Sequence, residues 1–150
     1  VMRGYLDPTK PFGIDLLPQG WHDTGDVVDV DADGYIRILG RVKRFAKIGG
    51  EMVSLNAVEG YAQTVWPHNT HAAVALPDPR KGERIILFTD NPHAEAADLL
   101  TWAKANGAPE LAVPKRIVNI DAIPVLGSGK TDYVVLQRMA AERFAQAEAA

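Results

Sequence analysis

Lys130 stands in the run Gly127-Ser128-Gly129-Lys130-Thr131. The run resembles the end of the phosphate-binding loop G-x-x-x-x-G-K-[ST], whose backbone cradles phosphates while its lysine reaches them. That pattern needs Gly where this chain has Pro124, and only about twenty residues follow Lys130, too few to build a parallel sheet. A nucleotide loop of that kind does not fit. A lysine in a surface turn stands as the plain reading. Asp26 ends a second run, Gly20-Trp21-His22-Asp23-Thr24-Gly25-Asp26. An aspartate after glycine at the edge of a strand can accept two hydrogen bonds from a ribose diol. Taken alone, the plain reading of the same residue is a solvated side chain where a loop enters a strand.

A third run extends from Gly40 to Glu51 and holds Arg41, Lys43, Arg44 and Lys47. One reading is a basic, solvated strand pair. The other is an arginine that meets a nucleotide, a flexible joint, and a glycine hairpin at Gly49-Gly50 that lets backbone approach a ligand closely. From these residues alone the two readings stand level. Asp29-Val30-Asp31-Ala32-Asp33-Gly34 imitates the start of a calcium loop, but that loop needs a bidentate Glu at its twelfth position. Here that position is Gly40, and flanking helices are missing, so a hairpin turn is expected. His22, His68, His71 and His93 lack metal-ligand spacing, and no metal site is expected. His68 and His71 read as surface or strand-edge residues. No Ser-His-Asp arrangement can be argued.

The chain has 150 residues, 47% hydrophobic and 23% charged, ordinary values for a globular protein. Its net charge of -3 gives no electrostatic reason to expect nucleic acid or an acidic membrane. Cysteine is absent, which excludes disulfides and thiolate catalysis. No apolar run approaches the ~18–20 residues that span a bilayer. Val1 precedes Met2, and the first residues lack both periodicity and the apolar centre of a signal peptide. A cut inside a longer chain is the expectation.

Several elements must position these residues. Val28, Val30, Tyr35, Ile36 and Ile38 alternate around an Asp/Gly turn, which predicts a β-hairpin over 26–39. Residues 45–53 predict a second hairpin. Ser54 is a good N-cap, and Leu55, Val58, Ala62 and Val65 recur at helical spacing up to Pro67. His71–Leu76 and Arg84–Thr89 read as strands around a turn over 77–82. Ala94–Ala105 reads as a helix with Leu99, Leu100 and Trp102 as core candidates and Asn106-Gly107 as its stop. Arg116–Ile120 is a strand, and Asp132–Ala147 a terminal helix. Residues 45–150 therefore read β-β-α-β-β-α-β-α, an α+β arrangement with about three helices. Residues 1–39 are β-rich and too short to close a core.

The order W-x-D-T-G-D, then G-R-x-K-x-x-x-K-x-x-G, then P-x-L-x-S-G-K resembles the adenylate-forming superfamily over residues 20–140. Phe45-Ala46-Lys47-Ile48, Gly50 to Leu55 and Pro109 to Pro114 are most similar to one branch, the bifunctional 2-acylglycerophosphoethanolamine acyltransferase / acyl-(acyl carrier protein) synthetase. The resemblance implies a small C-terminal lid domain over 43–150, hinged at Lys43, preceded over 1–42 by a β-rich stub of the large adenylation domain. It implies that Asp26 and Arg41 meet the nucleotide, that Gly49 and Gly50 line the acceptor thiol's path, and that Lys130 bridges carboxylate and α-phosphate. A cation there offsets the repulsion between the two anions. ATP, Mg2+ and a fatty acid would be substrates of the full-length enzyme. Its acceptor would be the phosphopantetheine thiol of acyl carrier protein or of coenzyme A.

This chain departs from the pattern at His22, where an aromatic is usual, and at Glu51-Met52, where Tyr-Arg is usual. The second departure points toward a carrier protein. The acyl pocket and the Ser/Thr/Gly-rich phosphate loop would lie upstream, so the segment alone is expected to be inactive and to bind no nucleotide tightly. The parent is expected on the cytoplasmic side, attached to the bacterial inner membrane through parts other than this segment. The competing expectation is a non-catalytic docking module for an acyl carrier protein.

Overall fold

The computed structural model describes residues 4–7, 9–10, 12–16 and 21–148. Val1, Met2 and Gly20 therefore lie outside the described residues. The chain divides into two compact units, Val1–Val42 and Lys43–Ala150.

The first unit is built from two antiparallel strand pairs. β1 (Gly4–Leu6) pairs with β2 (Ile14–Leu16), and β3 (Asp26–Val30) with β4 (Ile36–Arg41). The β3–β4 turn is the expected Asp/Gly turn. Asp31 accepts backbone hydrogen bonds from Asp33 at 3.0 Å and Tyr35 at 2.9 Å, and Gly34 supplies a φ of +85°. That local carboxylate-to-backbone bonding is what makes Asp a turn residue. Val27 pairs with Gly40 but Val28 pairs with Ile38, so Leu39 is an extra residue, a β-bulge.

The second unit holds the core. Among the described residues, every buried apolar side chain lies at or after Ala46. β5 (Phe45–Ile48) and β6 (Glu51–Ser54) form the glycine hairpin. α1 (Leu55–Val65) follows, capped by Ser54, whose hydroxyl accepts the N–H of Ala57 at 3.3 Å. β7 (His71–Asp78) and β8 (Gly82–Thr89) pair along their full length. α2 (Ala96–Asn106) ends on Gly107 at φ +69°, and β9 (Arg116–Asn119) runs parallel to β8. α3 (Tyr133–Glu148) closes the unit.

The sheet order is β6-β5-β8-β7, with β9 also on β8. β8 is therefore central. β7 occupies one of its sides, while β5 touches its start at Gly82 and β9 its end. Residues Ile85 to Phe88 are apolar without a break because both faces of β8 are covered. Ala73, Ile85 and Leu87 face Val58 of α1 and Leu99 of α2. Ala72, Val74, Ile86 and Phe88 face Leu136 and Ala140 of α3.

Over residues 45–150 the element order matches the expected one, with differences at element ends and in which side chains are buried. β7 continues through Pro77 to Asp78, where a turn was expected. Pro77 is tolerated because β7 is an edge strand, where a missing N–H costs no ladder bond. α2 begins at Ala96, because Asn91 first turns the chain by accepting the N–H of His93 at 2.9 Å. In α2, Leu99 is buried, whereas Leu100 and Trp102 are half-buried, with Trp102 against Tyr61 at 5.1 Å between rings. His71 does open a strand at the sheet edge, but its side chain is buried, with Nε2 3.1 Å from the Trp66 carbonyl oxygen. No helix of the described residues is long and apolar enough to cross a membrane.

Candidate functional site

Asp26 and Arg41 open and close the β3–β4 hairpin and are partners across it. Arg41 Nε lies 2.8 Å from Asp26 Oδ1, and another guanidinium nitrogen donates to the Thr24 carbonyl at 2.6 Å. Thr24 in turn accepts the Asp26 N–H through its hydroxyl at 3.3 Å, and Asp23 accepts the Gly25 N–H at 2.8 Å. The T-G-D run is thus a small turn that delivers the Asp26 carboxylate to the head of β3. The Asp26 side chain keeps 21% exposure and Arg41 65%, so both can still meet a ligand. Sequence spacing brought these two residues forward separately; the structure joins them.

Lys43 lies in a single 3-10 turn, Val42–Arg44, and its side chain is exposed. Gly49 and Gly50 have φ of +61° and +93°. Two consecutive positive φ angles define the hairpin turn that suits the twist of flanking strands. The β7–β8 turn packs beside this hairpin. Gly49 N–H donates to the Lys81 carbonyl at 2.8 Å, and Lys47 N–H to Glu83 at 2.5 Å. A groove of about 530 Å³ opens there, lined by the two glycines, Lys47 and residues 80–83.

Lys130 belongs to a different loop. Val125 and Thr131 form an antiparallel bridge, and the Leu126 N–H donates to the Lys130 carbonyl at 2.7 Å. Gly129, at φ +80°, permits the tight return. Asp132 then caps α3, accepting the N–H groups of Val134 at 3.1 Å and Val135 at 3.0 Å. The lysine is exposed at the head of a hairpin anchored to a helix start. A cation so placed can meet an anion brought to it. Among the described residues, no group of three or more His, Cys, Asp or Glu could hold a metal ion.

One cluster went unnoticed in the sequence. Arg44, taken there as part of a basic run, turns inward. It reaches Glu59 of α1 at 2.6 Å, the Ala73 carbonyl at 2.8 Å and Asn56 at 3.0 Å. Its guanidinium stacks 3.8 Å above the Tyr133 ring. Glu59 also accepts the Ala73 N–H at 2.8 Å and the Tyr133 hydroxyl at 3.1 Å. Burial, then the neighbouring Glu59 carboxylate, hold the Tyr133 hydroxyl above its ordinary value of 10.0 against the opposing Arg44 charge, so it stays a donor. Only the apolar setting of Phe45 and the helical phase of Glu59 hinted at this.

The chain is 35% identical over 147 residues to the 2-hydroxy-7-methoxy-5-methyl-1-naphthoate–CoA ligase of Streptomyces carzinostaticus, covering 96% of this chain and 26% of that enzyme. It is 28% identical over 146 residues to the 2,3-dihydroxybenzoate-AMP ligase of Bacillus subtilis, covering 96% of this chain and 27% of that enzyme. The structure of a Mycobacterium tuberculosis fatty acyl CoA synthetase superposes with a TM-score of 0.65 and 26% identity, over 85% of this chain and 26% of the other. No protein-family model matches the chain. The relatives and structural neighbours are adenylate-forming acyl and aryl ligases. The small α+β fold with three helices is that of a part of such enzymes. The chain spans about a quarter of the length of the curated relatives it matches.

Proposed function

We propose that this chain is the lid segment of an ATP-dependent acid–thiol ligase. In this reading residues 1–42 end the large adenylation domain, Lys43 is the hinge, and residues 43–150 are the mobile lid. What supports it most is that the compact units part between Val42 and Lys43, beside the very residue the motif marks as the joint.

In the first half-reaction a carboxylate oxygen attacks the α-phosphorus of ATP, and pyrophosphate leaves. In the second, a thiolate attacks the acyl carbon, and AMP leaves. Asp26, steadied by Arg41, fits the acceptor of two ribose hydroxyls, because its carboxylate is fixed at a strand head yet still partly exposed. Arg41 adds a positive charge facing the nucleotide. Lys130 fits the cation between carboxylate and α-phosphate, because its hairpin leaves it exposed and its base is tied to α3. Mg2+ would accompany the ATP phosphates. Gly49 and Gly50 would face the incoming thiol, and a lid that turns about Lys43 would present the two faces in succession.

The substrate acid and the acceptor define the finer reading. A naphthoate–CoA ligase and a dihydroxybenzoate-AMP ligase among the relatives motivate an aryl acid, and a fatty acyl CoA synthetase among the neighbours a fatty acid. Acyl carrier protein and coenzyme A both end in a phosphopantetheine thiol, which is the chemistry this segment would face. Glu51-Met52 motivates the carrier protein, and the CoA ligases motivate coenzyme A. The acyl-(acyl carrier protein) synthetase and 2-acylglycerophosphoethanolamine acyltransferase branch rests on the short runs at 45–48, 50–55 and 109–114.

The test uses the full-length ligase carrying this segment. Lys130→Ala should lower acid-dependent ATP–pyrophosphate exchange by about 100-fold or more, as loss of a charge-stabilising donor does. Unchanged exchange would remove Lys130 from the mechanism. Offering coenzyme A and phosphopantetheinylated carrier protein in parallel, with dodecanoate and with benzoate, decides acceptor and acid.

A further inference from the structure

Arg44, Glu59 and Tyr133 come from three parts of the chain and meet with side chains largely removed from water, 13% exposed for Arg44 and 18% for Glu59. A buried ion pair is weak evidence of stability, because its desolvation offsets much of its attraction. Position suggests another role. Arg44 is the residue after Lys43, and Tyr133 begins α3 three residues beyond Lys130. Glu59 lies between them. One of its oxygens accepts from Arg44 at 2.6 Å, from the Ala73 N–H at 2.8 Å and from Tyr133 at 3.1 Å. Arg44 fixes the same Ala73 through its carbonyl at 2.8 Å and covers the Tyr133 ring at 3.8 Å. The chain just past the joint is thus fastened to the sheet edge, to α1 and to the helix that anchors the lysine hairpin.

We propose that Arg44, Glu59 and Tyr133 form a brace of positioning residues that sets where Lys130 arrives when the lid turns about Lys43. The inference rests on the reading of Lys43 as hinge and Lys130 as the adenylation lysine. The brace acts in the adenylation step, where Lys130 works, and not in thioester formation, where the glycine hairpin faces the site. Gln137 provides a control. It donates to the Ala75 carbonyl at 2.6 Å, on the same strand and from the same helix as Tyr133.

The experiment measures both half-reactions of the full-length enzyme, using dodecanoate or benzoate, whichever supports exchange in the unmodified protein. Tyr133→Phe keeps the ring under Arg44 and deletes the hydroxyl's bonds to Glu59 and Thr131. It should lower kcat for pyrophosphate exchange by roughly tenfold, the scale of one lost charge-assisted hydrogen bond, with KM for ATP within about twofold. Thioester formation from the preformed acyl-adenylate should stay within about twofold of the unmodified enzyme. Glu59→Gln also removes the charge facing the buried Arg44, so it should lower exchange at least as far, and the double variant should be little worse than Glu59→Gln alone, as for residues acting as a unit. Gln137→Ala should change neither half-reaction. Parallel loss of both half-reactions together with a lower Tm would reduce the cluster to a structural role and overturn the brace. So would unchanged exchange in Tyr133→Phe and Glu59→Gln while Lys130→Ala abolishes it. Unchanged exchange in Lys130→Ala itself would instead overturn the underlying reading of the lysine.

Discussion

Gly50 and Gly82 both have positive φ, at +93° and +84°, yet they answer to different constraints. A Cβ built on Gly50 would meet nothing within 4 Å, whereas one on Gly82 would stand 3.0 Å from the Lys47 carbonyl oxygen. Gly50→Ala should therefore cost only the left-handed conformation, about 1–2 kcal/mol. Gly82→Ala should cost more, because that carbonyl belongs to a paired strand and cannot easily yield. Urea unfolding of the two variants checks the order. The Gly49-Gly50 hairpin was legible in the sequence because two adjacent glycines between apolar runs have few other uses. The packing of the 80–83 turn against it was not, since nothing local in Arg80-Lys81-Gly82 specifies which hairpin it will meet. Arg44 shows the same limit: its neighbours in the chain are basic, and only Glu59 and Tyr133, remote in sequence, determine that it faces inward.

β8 and the loop before β7 are joined by Asp90. Its carboxylate accepts from the Asn69 side chain and from the Thr70 N–H, each at 2.9 Å. Burial would raise its pKa, but these hydrogen bonds outweigh burial and hold it below the ordinary value of 3.8. A carboxyl with a lowered folded-state pKa adds stability above its unfolded value, and that stability is lost as pH falls through the folded one. Asp90→Asn should thus lower the Tm at neutral pH and flatten the decline below about pH 4, as followed by circular dichroism across a pH series. At this scale most of the fold was readable. The helical spacing of α1 and the capping by Ser54 are local signals, and the structure keeps them. The far end of β7 was not readable, because Pro77 is a turn signal everywhere except on a sheet edge. Strand order is set by long-range pairing, which period alone does not encode.

The two units differ in what they bury. Within the first, Val28 is 44% exposed, Val30 57%, and Ile36 and Ile38 68% each, whereas the second has apolar cores on both faces of its sheet. Residues 43–150 should fold alone as a cooperative unit, with a denaturation midpoint unchanged when residues 1–42 are removed. Differential scanning calorimetry of both lengths tests this, and a broad or lowered transition for 43–150 would refute it. The Asp26–Arg41 pair, proposed to meet the nucleotide, would be lost with the removed part, so its recognition by motif depended on residues that have no core of their own. The rim of β7 carries a different consequence. Ala73 and Ala75, which an edge strand would otherwise offer to any passing chain, are already occupied by Arg44, Glu59 and Gln137. Side chains stand in for the next strand, and Pro77 withholds an N–H farther along. The β7 rim is thereby closed to pairing with a second copy, a guard against edge-to-edge aggregation built from residues that also hold this unit together.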